Sequence, residues 1–130
     1  MVMKILRKLY KQLVLVVDKE SNNPIRYQFL NTVSERELLR KYMKNCVNYL
    51  EFGSCSTFEA LKVGCKKVVS VESSVDWVEY MKTWKFIRKQ INKKRLDLRY
   101  INIGLTREWG MPVDESSKDS FLQYHEFWFL

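Results

Sequence analysis

Tyr49–Ala60 reads YLEFGSCSTFEA. An apolar run carrying one acid, Glu51, meets Gly53 and becomes a string of small polar residues. Gly53 permits a sharp turn and a close backbone approach. Beyond it, Ser56-Thr57-Phe58-Glu59 has the serine-to-glutamate spacing of a capping box, which predicts a helix start. Cys46–Phe52, bounded by Asn45 and Gly53, reads as a buried strand, and the helix that follows is short, stopping near Gly64.

The same grammar repeats downstream. Lys67–Glu72 (KVVSVE) is a valine-rich strand, and Ser73-Ser74-Val75-Asp76 caps a longer helix. In that helix Trp77, Val78, Met81, Trp84, Ile87 and Ile91 fall at helical spacing, while Lys82, Lys85, Arg88, Lys89 and Lys93 share the other face. Leu96–Ile103 (LDLRYINI) predicts a third strand. Upstream, Ser34-Glu35-Arg36-Glu37 is a further capping-box pattern, predicting a helix to about Asn45 with Leu38, Leu39, Tyr42 and Met43 inward. Residues 4–17 fit a helix, although LVLVV at Leu13–Val17 fits a strand equally; residues 18–33 read as loop. Strands alternating with helices predict an α/β fold with a parallel sheet and right-handed crossovers. The organisation expected is an extension over 1–33 and one domain over 34–130. Beyond Gly104 the chain is irregular until the aromatic segment Phe121–Leu130.

Composition narrows the function classes. The 130 residues are 46% apolar and 14% aromatic, enough for a packed core. Cys46, Cys55 and Cys65 form no CxxC pair, and His125 is the single histidine, so no metal site is expected. Scattered thiols fit a reducing compartment, and no apolar stretch approaches the roughly 20 residues of a membrane span. Lys4, Arg7 and Lys8 before LVLVV faintly resemble a signal peptide, but Lys11 interrupts the run and no cleavage site follows. A cytoplasmic protein is expected. The net charge of +8 is uneven: residues 1–50 carry ten basic and four acidic side chains, and residues 82–99 carry eight basic residues against Asp97. Such surfaces attract nucleic acid or an anionic membrane face, yet a solvated helix face is the favoured account, because a charge run alone carries no groove-reading geometry and no nucleic-acid-reading motif is present.

In an open parallel α/β sheet, ligands bind beyond the carboxyl ends of the strands. Gly53 and the amides of Ser54, Cys55, Ser56 and Thr57 lie at that end of the first strand. Glu72 ends the second, where an acid suits ribose hydroxyls. The full GxGxxG is absent, and Glu51 disfavours a pyrophosphate while suiting a cationic ligand or an amino group. Acid–x–Gly after strand one, with an acid ending strand two, is the pattern of a class I S-adenosylmethionine site. The bland alternative is an ordinary turn and an exposed strand end.

YLEFGSCST followed by KKVVSVESSVDWVEYMK resembles the class I S-adenosylmethionine-dependent methyltransferase-like proteins. Their pattern is of the form YLEWGSGGST, then a strand ending VES or VEH, then a helix with D-W. INIGLTREWGMPVDESSKDSFLQYHEFWF resembles their segment of the form IGPTGEWGxPxD. The resemblance runs from Ser34 to the C-terminus. It implies a Rossmann-like, partial three-layer αβα sandwich with the C-terminal strands of the full fold missing. It also implies a cofactor loop of Glu51, Gly53, Ser54, Ser56 and Thr57, ribose at Glu72, adenosine beside Ser73, and Asn102–Gly104 near the adenine edge. GSGGST is shortened here to GSCST, with Cys55 in the gap, which implies a narrowed or closed pocket. Without the family's fourth strand the first becomes an edge, to be covered by Phe121–Leu130, by LVLVV, by a second copy or by a protein partner. The leading expectation is a truncated methyltransferase-like protein with a retained or degenerate S-adenosylmethionine site. The alternative is a non-enzymatic interaction module, and a nucleic-acid binder ranks last.

Single residues read more plainly. Cys55, at a helix start, has the setting of a lowered thiol pKa but no neighbouring histidine, so a turn-filling role is favoured over catalysis. Trp77, Met81 and Trp84 are expected in the core. Trp109-Gly110 with Pro112 predicts a rigid turn, and Asp114, Glu115 and Asp119 a solvated loop with the option of pairing with the basic helix.

Overall fold

The computed structural model describes residues 2–25, 27 and 32–125. The elements run α1 (Val2–Glu20), α2 (Val33–Met43), β1 (Asn48–Phe52), α3 (Thr57–Lys62), β2 (Lys67–Glu72), α4 (Val75–Lys82), α5 (Lys85–Asn92) and β3 (Leu96–Tyr100). A 3₁₀ turn (Glu108–Gly110) and α6 (Lys118–His125) follow. The three strands pair in parallel in the order β1-β2-β3 and are flanked by helices, a partial Rossmann-like fold. Glu51 stands beside Ser70, and Glu72 beside Tyr100.

Period-two alternation splits the sheet. Tyr49, Val68 and Leu96 join the main core with Phe58, Leu61, Met81, Trp84 and Ile87 from the helices. Phe52 and Val71 point the other way, where the Tyr124 ring of α6 packs 5.4 Å from that of Phe52. Among the described residues β1 is an edge of the sheet. LVLVV cannot cover it as a strand, because those residues belong to α1. The tail beyond His125, expected to fold over this edge, lies outside the described residues, and so does the His125 side chain.

Three helix expectations change. First, α2 is capped two residues earlier than Ser34: Thr32 Oγ1 accepts from the Glu35 amide at 3.3 Å, and the Glu35 carboxylate accepts from Thr32 N at 2.6 Å. Met43 is buried and Leu39 half-buried, but Leu38 and Tyr42 are exposed. On the side of α2 that meets the body, the Arg40 guanidinium reaches the buried Glu59 carboxylate. Second, the long helix after Ser74 breaks at Thr83–Trp84. Arg88 Nη1 donates to the carbonyls of Lys82 (3.0 Å) and Thr83 (2.8 Å), satisfying a helix end that would otherwise lack donors. Trp84 is then extended and fully buried, edge-on to Phe58 at 5.3 Å. Third, the box at Ser56–Glu59 does not form: Ser56 makes no side-chain cap, and Glu59 faces Arg40 and the Tyr27 hydroxyl instead. The Ser74 cap is present, accepting from Trp77 N at 3.3 Å. Asp114 accepts from Ser116 N, and among the described residues no ion pair joins its loop to the basic helix.

Candidate functional site

The parallel register brings the carboxyl ends of β1 and β2 together, and with them two acids. Glu51 and Glu72 are each 8% exposed. A buried carboxylate must be hydrogen-bonded to persist, and both are. Glu51 Oε2 accepts from the Ser56 amide at 3.0 Å, and Oε1 accepts from the Ser70 hydroxyl at 2.9 Å and from the Thr57 hydroxyl. Glu51 thus holds the Ser56 amide, the donor that the Glu59 side chain of a capping box would take. Glu72 Oε2 accepts from Ser54 N at 2.9 Å, and Oε1 accepts from Ser73 N and Ser74 N at 2.8 and 2.9 Å.

Between the acids lies the turn. Gly53 takes φ +79°, a left-handed conformation that L side chains rarely adopt. Its amide donates to Val71 O at 2.7 Å, which extends the ladder by one residue. A Cβ built on Gly53 would meet no atom within 4 Å, so the glycine faces open space. Cys55 N donates to Gly53 O at 2.7 Å, closing the loop on itself.

Three side chains enter the site that the sequence reading had not placed there. Ser70 is fully buried, and its hydroxyl is within hydrogen-bond distance of Glu51, of Ser54 Oγ (2.7 Å) and of Thr57 Oγ1 (3.2 Å). Its signal was available: a serine inside KVVSVE puts a hydroxyl in an otherwise apolar strand. Trp77, expected in the core, is half-buried and donates its indole N–H to Ser54 O at 3.3 Å. Tyr124 donates its hydroxyl to Val71 O at 3.4 Å, an arrangement no local pattern announces.

Ser73 follows Glu72 directly, and a Cβ built on Gly110 would sit 3.6 Å from Ser73 Oγ. The expected rigid turn therefore lies against the end of β2. It is closed by an antiparallel bridge between Thr106 and Pro112, with Arg107 N donating to Met111 O at 2.8 Å. Asn102–Gly104 leaves from the same place: Ile101 N donates to Glu72 O at 2.9 Å, and Asn102 Oδ1 accepts from Gly104 N.

Burial sets the electrostatics. It pushes Glu51 up from 4.5 to about 7, against the hydrogen bonds from Thr57, Ser56 and Ser70 and with the help of nearby Glu72. Burial, then the charges of Glu51 and Glu72, push the Cys55 thiol upward. The lowered thiol pKa that the helix start suggests is absent, because burial first and the two acids second act in the opposite direction. Burial likewise raises the Tyr124 phenol. Among the described residues no cluster of three or more His, Cys, Asp or Glu side chains is placed to hold a metal ion.

The main chain resembles, with a TM-score of 0.56, a methyltransferase-like protein from Silicibacter pomeroyi DSS-3, at 26% sequence identity. The fold is methyltransferase-like. The match covers 76% of this chain and 52% of that protein, so the chain spans about half the length of its relative. No family model and no curated protein matches the sequence. No helix among the described residues is long and apolar enough to cross a membrane.

Proposed function

We propose that the ends of β1 and β2 form an adenosyl-binding site, and that the chain supplies the S-adenosylmethionine-binding part of a methyltransferase-like protein. One observation carries this reading: two buried carboxylates end adjacent parallel strands and flank a positive-φ glycine that faces open space. The residues fit the ligand. Glu72 would take the ribose hydroxyls, Ser73 would lie beside the nucleoside, and Gly53–Thr57 would border the amino-acid end, with Glu51 and the exposed Cys55 at its edge. A bound S-adenosylmethionine supplies an electrophilic methyl group on a sulfonium. The chain's own part is binding and orientation, a positioning task.

Glu72 already accepts three amide hydrogens, and a carboxylate has about four acceptor positions. A ribose diol therefore displaces at least one of them. The Ser54 amide is the one to move, since Ser73 and Ser74 are its chain neighbours and are fixed by α4. Calorimetric titration with S-adenosylhomocysteine tests the reading. Binding that is lost in Glu72→Ala, with a shift of the Ser54 amide resonance on saturation, supports it. A folded sample that binds no ligand refutes it.

The same engagement of both acids favours a second reading, a scaffold that no longer admits ligand and works through the β1 edge. In that case Glu72→Ala lowers stability, and a partner or second copy pairs along Asn48–Phe52.

A further inference from the structure

Helix α1 carries its apolar face outward. Leu6, Leu9, Leu13 and Val16 repeat at intervals of three and four, with Tyr10 and Val17 beside them, and all six are between 56% and 64% exposed. At 3.6 residues per turn these side chains form one continuous half of the helix. The body is met by the opposite side of the last turns: Leu15 packs on the core, Lys19 Nζ stands 4.7 Å from the centre of the Tyr80 ring, and Asp18 is half-buried. Residues 3–13 are exposed on every side. A globular protein ordinarily turns such a face inward, so this one is made for a surface outside the described fold.

Charge identifies that surface. Lys4, Arg7, Lys8 and Lys11 lie on the polar half, and no acid precedes Asp18. A partner helix is a poor match. In the heptad frame of Leu6, Leu9, Leu13 and Val16, the flanking positions where coiled coils set their pairing charges hold Ile5, Tyr10, Gln12 and Val17. All four are uncharged, and 19 residues fall short of the three or four heptads that sustain a coiled coil. A wide apolar face of modest mean hydropathy, backed by Lys and Arg, is the composition of a helix lying in a lipid interface. We propose that α1 docks this protein on an anionic membrane surface, with the leucine–valine face among the acyl chains and the cations at the headgroups. The basic α5 packs beside α1 and exposes Lys85, Arg88 and Lys89.

Flotation of the full chain with phosphatidylcholine vesicles, with and without phosphatidylserine, tests this. The chain is expected to float with the serine-lipid vesicles, to bind neutral ones at least about tenfold more weakly, and to be released by salt, since each basic residue near an anionic surface is worth about fivefold in binding. Leu9→Glu/Leu13→Glu and, separately, Lys4→Glu/Lys8→Glu/Lys11→Glu should each abolish flotation. Both leave the melting temperature unchanged, because those side chains touch no part of the core. Absence of flotation by folded wild-type chain overturns the proposal. So does a concentration-dependent dimer, dissolved by Leu9→Glu/Leu13→Glu, in a chain that ignores vesicles. RNA retention lost in the lysine variant, without vesicle binding, overturns it as well.

Discussion

Glu51 makes the fold more stable in acid than at neutral pH, opposite to an ordinary surface carboxylate. Its carboxyl is 8% exposed, and burial raises it from 4.5 to about 7. The native protein therefore holds this proton more tightly than the unfolded chain. Stability from the neutral form is fully present below pH 4.5 and is lost as the pH rises through about 7. At about 1.4 kcal/mol per pH unit of displacement, the loss amounts to about 3 kcal/mol. Glu51→Gln keeps the shape and cannot ionise. Its amide oxygen still accepts from Ser56 N, and the hydroxyls of Thr57 and Ser70 can turn to accept from its amide hydrogens. Urea unfolding of both proteins, followed by tryptophan fluorescence at several pH values between 4.5 and 8, isolates the effect. Glu59, which burial also raises, contributes equally to both and cancels in the difference. The difference in unfolding free energy should move by about 3 kcal/mol in favour of the variant as the pH rises. A difference that stays flat across this window refutes the assignment of a protonated Glu51.

Three further outcomes follow from the geometry. Gly53→Ala should cost only about 1 kcal/mol, the strain of a left-handed residue, because a Cβ there meets nothing. Gly104→Ala should cost more, since its Cβ would stand 2.8 Å from Ser117 Oγ and 3.1 Å from Ser117 Cβ; paired melting curves compare the two. Iodoacetamide should modify Cys55 slowly at pH 7, with a rate still climbing above pH 9, as mass spectrometry of the Cys55 peptide can follow. Ser70→Ala should cost about 1–3 kcal/mol in chemical denaturation, because it removes a buried donor to Glu51 and a partner of Ser54 and Thr57.

The sheet was legible because its signals are local. KVVSVE occupies β2 residue for residue, and Gly53 sits at the turn its φ requires. Helix existence was equally legible, for the apolar spacing around Trp77–Ile91 survives even though the helix breaks. The break itself was hidden, because Arg88 ends α4 from the next helix, a contact that residue spacing does not encode. The same holds for the caps. Serine followed three positions later by glutamate predicts a box at Ser56–Glu59, but tertiary partners take both ends: Glu51 from β1 claims the Ser56 amide, and Arg40 claims Glu59. Ser70 carries a local signal, a hydroxyl inside a valine-rich strand, but what that hydroxyl does is set by its register partner, Glu51, which residue spacing does not encode.

The two acids that would serve a ligand are also the ones that hold the turn shut. Glu51 ties β1 to the start of α3, while Glu72 ties the Ser54 loop to the start of α4. A longer, glycine-rich loop could reach these acids and still leave acceptor positions open. Here Cys55 folds back on the Gly53 carbonyl, and the Ser54 amide lands on Glu72. On the proposed reading, ligand and loop would compete for the same carboxylate, and adenosyl binding would be weaker than in an open site by the stability of that one charge-assisted hydrogen bond, about 1.5–3 kcal/mol. Inserting one glycine after Ser54 lengthens the loop without touching either acid. If competition is the cause of weak binding, the insertion should tighten S-adenosylhomocysteine roughly tenfold or more, as 1.4 kcal/mol corresponds to a factor of ten. A tighter ligand with a lower melting temperature is the signature of a turn closed by the very group it would use for binding. An insertion that lowers the melting temperature and leaves affinity unchanged shows that Glu72 serves the fold alone.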